Sequence, residues 1–320
     1  MMIDRFPDPL PGHSRIPRIF CLLITVTFLV FGCSGSQKPV RETRFLMGTL
    51  VDVIAYGDHE TAAEAVGRAF DRMAEVEQAS YSKILGSPLE SIREGRGALL
   101  TGDAALVMET AMSVAVASSG AFDPTLGELV DLWGIATGHP EVPGDDEIRE
   151  AMSRSGYRRI PETGCCPEGM KVWLDLGGVA KGFAVDEAVK VLKEAGVPSG
   201  IVNAGGDLRS FGRKPGKIPW KIGIQNPDDP QDLAGVLDVG EISIATSGDY
   251  QRYFEVGGVR YHHILDSTTG RPARSGVRSV TTLADDCSLA DALATAAFVM
   301  GPEKGLVLME EWKGVEGVII

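Results

Sequence analysis

The chain has 320 residues, 44% of them hydrophobic and 23% charged, enough to bury the core of one large or two ordinary domains. Its formal net charge is −13, and no block of Lys and Arg interrupts it, which argues against a broad phosphate-backbone surface and so against nucleic acid as a partner. An anionic ligand would have to be held locally, by backbone N–H groups, one or two cations or a metal.

Residues 19–32, IFCLLITVTFLVFG, form an apolar run preceded by Arg5, Arg15 and Arg18. The run is short for a membrane span and suits the core of an export signal, so residues 1–32 are expected to be removed; an uncleaved anchor is the competing reading. Phe31-Gly32-Cys33 and the polar stretch after it resemble a bacterial lipobox. That resemblance implies lipidation at Cys33, a tether over 33–40, and an exported protein held on the periplasmic side of a bacterial membrane. Of the other cysteines, Cys165, Cys166 and Cys287 lack metal-binding spacing, which argues against structural zinc.

Gly48 to Tyr56 alternates as a strand, and Glu60 to Glu77 carries Ala62, Ala65, Val66, Ala69, Phe70, Met73 and Val76 at helical spacing. A second helix is predicted over 103–119, with Asp103 as N-cap and Gly120 as its stop. Residues 134–170, rich in Gly, Pro and charge, read as a surface excursion with one short helix near 145–155. Strands are predicted at 171–175, 200–203, 218–225, 241–246, 259–265 and 277–284, and a helix at 288–300. Adjacent strands in the second half favour an α+β fold, with mixed or antiparallel sheets flanked by helices, over a strict alternation.

Polar residues gather at the ends of these elements. Asp175 and Lys181 flank Gly177-Gly178 at a predicted strand-to-helix corner, where free N–H groups and a Lys would suit an oxyanion, although close packing alone could also call for the glycines. Asn203-Ala-Gly-Gly-Asp207 follows a strand and matches neither a P-loop nor a dinucleotide fingerprint. Ala245-Thr-Ser-Gly-Asp249 precedes His262-His-Ile-Leu-Asp266. Asp291 and Thr295, four apart, share a helix face as two oxygen ligands of a hard cation could; an Asp in a first turn and a Thr bonded back to the Asp291 carbonyl are the ordinary alternatives.

The order DLGGVAKG, NAGGD, IATSGDY, HHILDSTTG and SLADALATAAFVMG, with RFLMGT at 44–49 and SGAFDP at 119–124, resembles the ApbE family of flavin transferases over residues 41–320. The resemblance implies that family's T-fold-related architecture, binding of FAD and a divalent cation, usually Mg²⁺, and transfer of FMN to a Thr or Ser hydroxyl of a partner protein, such as a subunit of a membrane redox complex, with release of AMP. It assigns FAD contacts to Met47, Tyr81, Ala121, Phe122, Asp123, Asp175, Lys181 and the Ile264–Leu265 backbone. It assigns the cation to the Gly178 carbonyl, Asp291 and Thr295, and the base to His263. Three departures stand out: a longer segment after Tyr81 at 82–91, Ser267 in place of a usual Pro, and an end at Ile320 within a predicted strand. Hydrolysis of FAD to FMN and AMP, and non-catalytic flavin storage, are the competing functions.

Overall fold

In the computed structural model the described residues are 38–135, 138–161 and 164–320; the segments expected to be an export signal (1–32) and the start of a lipidated tether (33–37, with Cys33) lie outside them. Strand β1 (Val40–Leu46) returns as β2 (Thr49–Tyr56) through Met47-Gly48, both in the left-handed region (φ 53° and 70°), which matches the twist of a tight hairpin. Along β2, Val51, Val53 and Ala55 are buried while Leu50 and Asp52 are exposed. Helix α1 (His59–Ser80) starts where the Asp58 carboxylate accepts the Thr61 N–H, and it buries the apolar face that its spacing predicts.

Short elements follow: α2 (Pro88–Arg93), β3 (Ala98–Leu99), α3 (Gly102–Ala117), α4 (Gly127–Trp133), α5 (Asp145–Arg154) and β4 (Cys165–Cys166). Then come α6 (Gly177–Glu194), β5 (Ser199–Ala204), β6 (Asp207–Phe211), and the hairpin β7 (Trp220–Gln225) and β8 (Leu233–Val239). The chain closes with β9 (Ile242–Gly248), β10 (Tyr253–Val256), β11 (Val259–His262), β12 (Leu265–Asp266), β13 (Arg271–Pro272), β14 (Ser279–Ala284), α7 (Cys287–Met300), α8 (Pro302–Glu310) and β15 (Glu316–Ile319).

Seven strands form one antiparallel sheet in the order β1-β2-β5-β6-β9-β14-β15. One face buries Val51, Val53, Ala55 and Val202 against α1 and α6. On the other, Trp220 and Ile222 of the β7–β8 hairpin cover Ile201, Leu208 and Ile244. Helix α7 is apolar on nearly every side and is buried accordingly, from Cys287 to Phe298. No helix among the described residues is long and apolar enough to cross a membrane. The architecture is α+β, as the order of elements suggests.

Three local expectations change. Residues 171–175 are not a strand: their neighbour is the 124–127 loop, which offers only the bonds from Asp175 N–H to Pro124 and from Gly127 N–H to Trp173. Thr101, not Asp103, flanks the start of α3, because the Asp103 carboxylate is drawn into a bidentate pair with Arg72 at 2.6 Å. The 134–170 excursion also carries core: Ile148 and Ala151 pack with Leu129 and Trp133, while Tyr157, Ile160 and Cys166 join the cluster around α3.

Candidate functional site

The site begins with a close approach of two helices. A Cβ at Gly182 would run into the Cys287 carbonyl, so the glycine lets α6 press against the start of α7. Asp186, one turn further along α6, accepts the N–H groups of Cys287 and Ser288 at 3.0 Å each, and Arg209 holds it at 2.6 Å. Two otherwise orphaned donors of α7 are thereby satisfied from a neighbouring helix.

This contact sets Lys181 beside Asp291. The ammonium lies 3.0 Å from the Asp291 carboxylate and 2.5 Å from that of Asp207, the first residue of β6. Both carboxylates are almost fully buried. Gly205 and Gly206, in the left-handed region at φ 66° and 109°, turn the chain so that Asp207 enters the strand facing α6. In the sequence Asp207 closes the NAGGD motif with no assigned role; the local sign of it is a carboxylate placed directly after a double glycine.

Two carboxylates around one ammonium leave excess negative charge. Burial, and then the neighbouring Asp207, raise the pKa of Asp291 to about 7, with Lys181 pulling it back. Burial opposes the charge on Lys181, but Asp207 and Asp291 more than offset it and keep the ammonium firmly protonated.

Thr295 lies one turn beyond Asp291. Its hydroxyl meets the Ser247 hydroxyl of β9 at 2.9 Å, so it faces the sheet. A Cβ at Gly178 would stand 3.0 Å from the Phe122 ring and 3.7 Å from the Thr295 hydroxyl, so the bare glycine backbone, Phe122 and Thr295 converge. Among the described residues no group of three or more His, Cys, Asp or Glu is placed to hold a metal. Gly178 lies against Thr295, and Asp291 stands one turn before Thr295 on α7; a carboxylate, a hydroxyl and a glycine carbonyl would make an all-oxygen set of the kind hard cations take.

The remaining expected contacts differ in their surroundings. The Asp175 carboxylate accepts the Gly177 N–H at 2.9 Å and steadies the entry to α6. Asp123 accepts from the Thr125 N–H and hydroxyl and from the Tyr157 N–H, and burial raises its pKa. Its neighbour Ala121 lies in the same turn, where the Phe122 N–H donates to Ser118. Ser267 donates its hydroxyl to the Gly120 carbonyl at 2.5 Å and ties that turn to the segment after β12. Tyr81 ends α1 and is half exposed. Ile264 and Leu265 are buried, and the Ile264 carbonyl accepts the Ala273 N–H.

The two histidines separate cleanly. His262 is buried, bonds the Ala273 carbonyl through Nε2 at 2.9 Å and meets the Phe298 ring edge-on. Burial lowers its pKa. His263 keeps partial contact with solvent and places Nδ1 3.3 Å from the Arg252 carbonyl. Burial, then the Arg252 guanidinium, bring its pKa down to about 4, so the ring is neutral at pH 7 and able to take a proton.

An antiparallel sheet backed by helices, with a lysine and two carboxylates clustered at their junction and a neutral imidazole in the β11–β12 segment, defines an α+β protein with a charged, partly buried site. The chain belongs to the ApbE family, whose model matches residues 47–319. It is 35% identical to the FAD:protein FMN transferase of Treponema pallidum, over 96% of this chain and 91% of that protein. It is 31% identical to the enzyme of the same name from Vibrio cholerae, over 92% and 91%. Among solved structures it resembles the ApbE protein of Thermotoga maritima, with a TM-score of 0.81 at 34% identity over 88% of this chain and 94% of that one. The flavin transferase ApbE of Vibrio cholerae superposes with a TM-score of 0.76 at 29% identity, over 88% and 93%.

Proposed function

We propose that the chain transfers FMN from FAD to a Thr or Ser hydroxyl of a partner protein and releases AMP. The relatives named above carry that transferase name. The observation in this chain that supports the reading is the junction of α6, α7 and β6, where Lys181 pairs with Asp291 and Asp207 and where Gly178 lies against Thr295. The Gly178 carbonyl, Asp291 and Thr295 would hold Mg²⁺. Bound there, the cation would neutralise charge on the FAD pyrophosphate. Lys181, kept charged by its two carboxylates, adds a positive group beside the same phosphates.

His263 then serves as the base. It takes the proton from the acceptor hydroxyl as that oxygen bonds to the phosphorus nearer riboflavin, and the bond from this phosphorus to the AMP oxygen breaks. Met47, Tyr81, Phe122 with its neighbours Ala121 and Asp123, Asp175 and the Ile264–Leu265 backbone would border the rest of FAD. Export and a lipid at Cys33 would put site and acceptor together at the periplasmic side of a membrane.

The test uses FAD and Mg²⁺ with and without a peptide containing a Ser/Thr-Ala-Thr segment, following AMP and covalent flavin fluorescence. AMP release that requires the peptide supports transfer. AMP without peptide indicates hydrolysis, and no AMP in either case indicates storage.

A further inference from the structure

Arg252 lies in the segment between β9 and β10, with an exposed side chain and no carboxylate within ion-pair distance among the described residues. Its guanidinium donates instead to the Gly48 carbonyl at 2.9 Å. The bond fastens the β9–β10 segment to the Met47-Gly48 turn, whose two left-handed residues expose the carbonyl that Arg252 reaches.

The backbone of the same residue holds His263. The Arg252 carbonyl accepts the His263 N–H at 3.1 Å and lies 3.3 Å from Nδ1 of the ring. A carbonyl oxygen can only accept, so the hydrogen of the neutral imidazole sits on Nδ1 and the lone pair on Nε2. Nε2 makes no hydrogen bond among the described residues, which leaves that lone pair open.

We propose that Arg252 is a positioning residue of the transfer step: its carbonyl selects the His263 tautomer whose Nε2 accepts the proton, and its side chain ties that imidazole to the Met47-Gly48 turn. This rests on His263 being the base. The charged and titratable groups that act most on the ring are Arg252 from the β9–β10 segment, His262 from β11 and Lys181 from α6. With burial, all three favour the neutral ring, and only the bond to the Arg252 carbonyl works the other way.

The experiment is NMR of the ¹⁵N-histidine-labelled mature chain, with the His263 signals identified by their loss in His263→Ala. The expected spectrum at pH 7 shows the Nδ1–H tautomer. Arg252→Gln should raise the His263 midpoint, move the acid limb of kcat in the same direction and raise KM for FAD several-fold. Arg252→Lys, which keeps the charge but not the reach of the fork, should hold the midpoint near wild type while still raising KM. An Nε2–H tautomer in the wild type, or an unchanged midpoint and acid limb in Arg252→Gln, overturns the proposal. The spectra are read without substrate, so a wrong ring state counts against this inference alone. Transfer that survives His263→Ala overturns the base assignment beneath it.

Discussion

The Lys181 cluster and the His263 segment hold their reactive groups in opposite ways. At the first, side chains from α6, β6 and α7 hold one another, and burial makes every charge depend on its neighbours. At the second, the main-chain carbonyl of Arg252 holds the ring, and the Arg252 side chain anchors that segment to the Gly48 carbonyl. A charge removed from the first region unbalances the group; a ring removed from the second deletes one chemical step. Substitutions in the two regions should therefore fail differently.

The largest effect is expected from Asp291→Asn. Because burial and Asp207 make the ionised Asp291 unfavourable, the neutral isostere should keep or raise the melting temperature while Mg²⁺-dependent AMP release falls by several orders of magnitude. A purely structural Asp291 gives the reverse: lower melting temperature and unchanged Mg²⁺ curves. In the wild type, apparent Mg²⁺ affinity should weaken as pH drops below about 7, since the raised carboxyl then carries a proton that the metal must displace. Mg²⁺ titrations at several pH values on one preparation check both points.

His263→Ala should retain FAD binding and lose transfer about 10²-fold or more. With the ring neutral above about 4, wild-type turnover at saturating Mg²⁺ should show its His263 limb near that pH, and the variant should lack it. Fluorescence titration with FAD, set beside a pH–rate profile, separates lost binding from lost chemistry.

A smaller change is expected from Ser247→Ala, which deletes the hydroxyl that orients Thr295. Mg²⁺ binding should weaken about tenfold with the fold intact, as for other groups that support a metal ligand. Calorimetric Mg²⁺ titration measures it.

His262→Ala should have the smallest effect on turnover per folded molecule. Its cost is in stability, about 1–3 kcal/mol, because the buried Ala273 carbonyl loses its partner and Phe298 an edge contact. Of the two histidine substitutions, His262→Ala is expected to be the milder for chemistry and the more damaging for stability. His262 has a folded pKa below the ordinary 6.5, so the fold gives up part of its stability as pH falls below that value. Thermal melts across pH check the sign.

Much of this could be read along the chain. The period of α1 gives its buried face, the alternation in β2 gives the hairpin's inner side, and the four-residue step from Asp291 to Thr295 gives a shared helix face. What failed did so for lack of a neighbour. Residues 171–175 have strand composition, but only a ladder partner makes a strand, and the 124–127 loop beside them is none. Asp103 has the chemistry of an N-cap, but Arg72 from another helix competes for it more strongly.

By itself the sequence determined the order of motifs, the family they mark and the residues that can share one face, because these depend on spacing within a few turns of chain. Only the tertiary structure decided that Asp207 joins Lys181 and Asp291, that Thr295 turns to Ser247, and which of two adjacent histidines is locked into the core. The reason is distance along the chain. Lys181 and Asp291 are 110 residues apart, and they meet because Gly182 lets two helices close on each other while the sheet sets β6 between β5 and β9. No local pattern of residues encodes such a meeting.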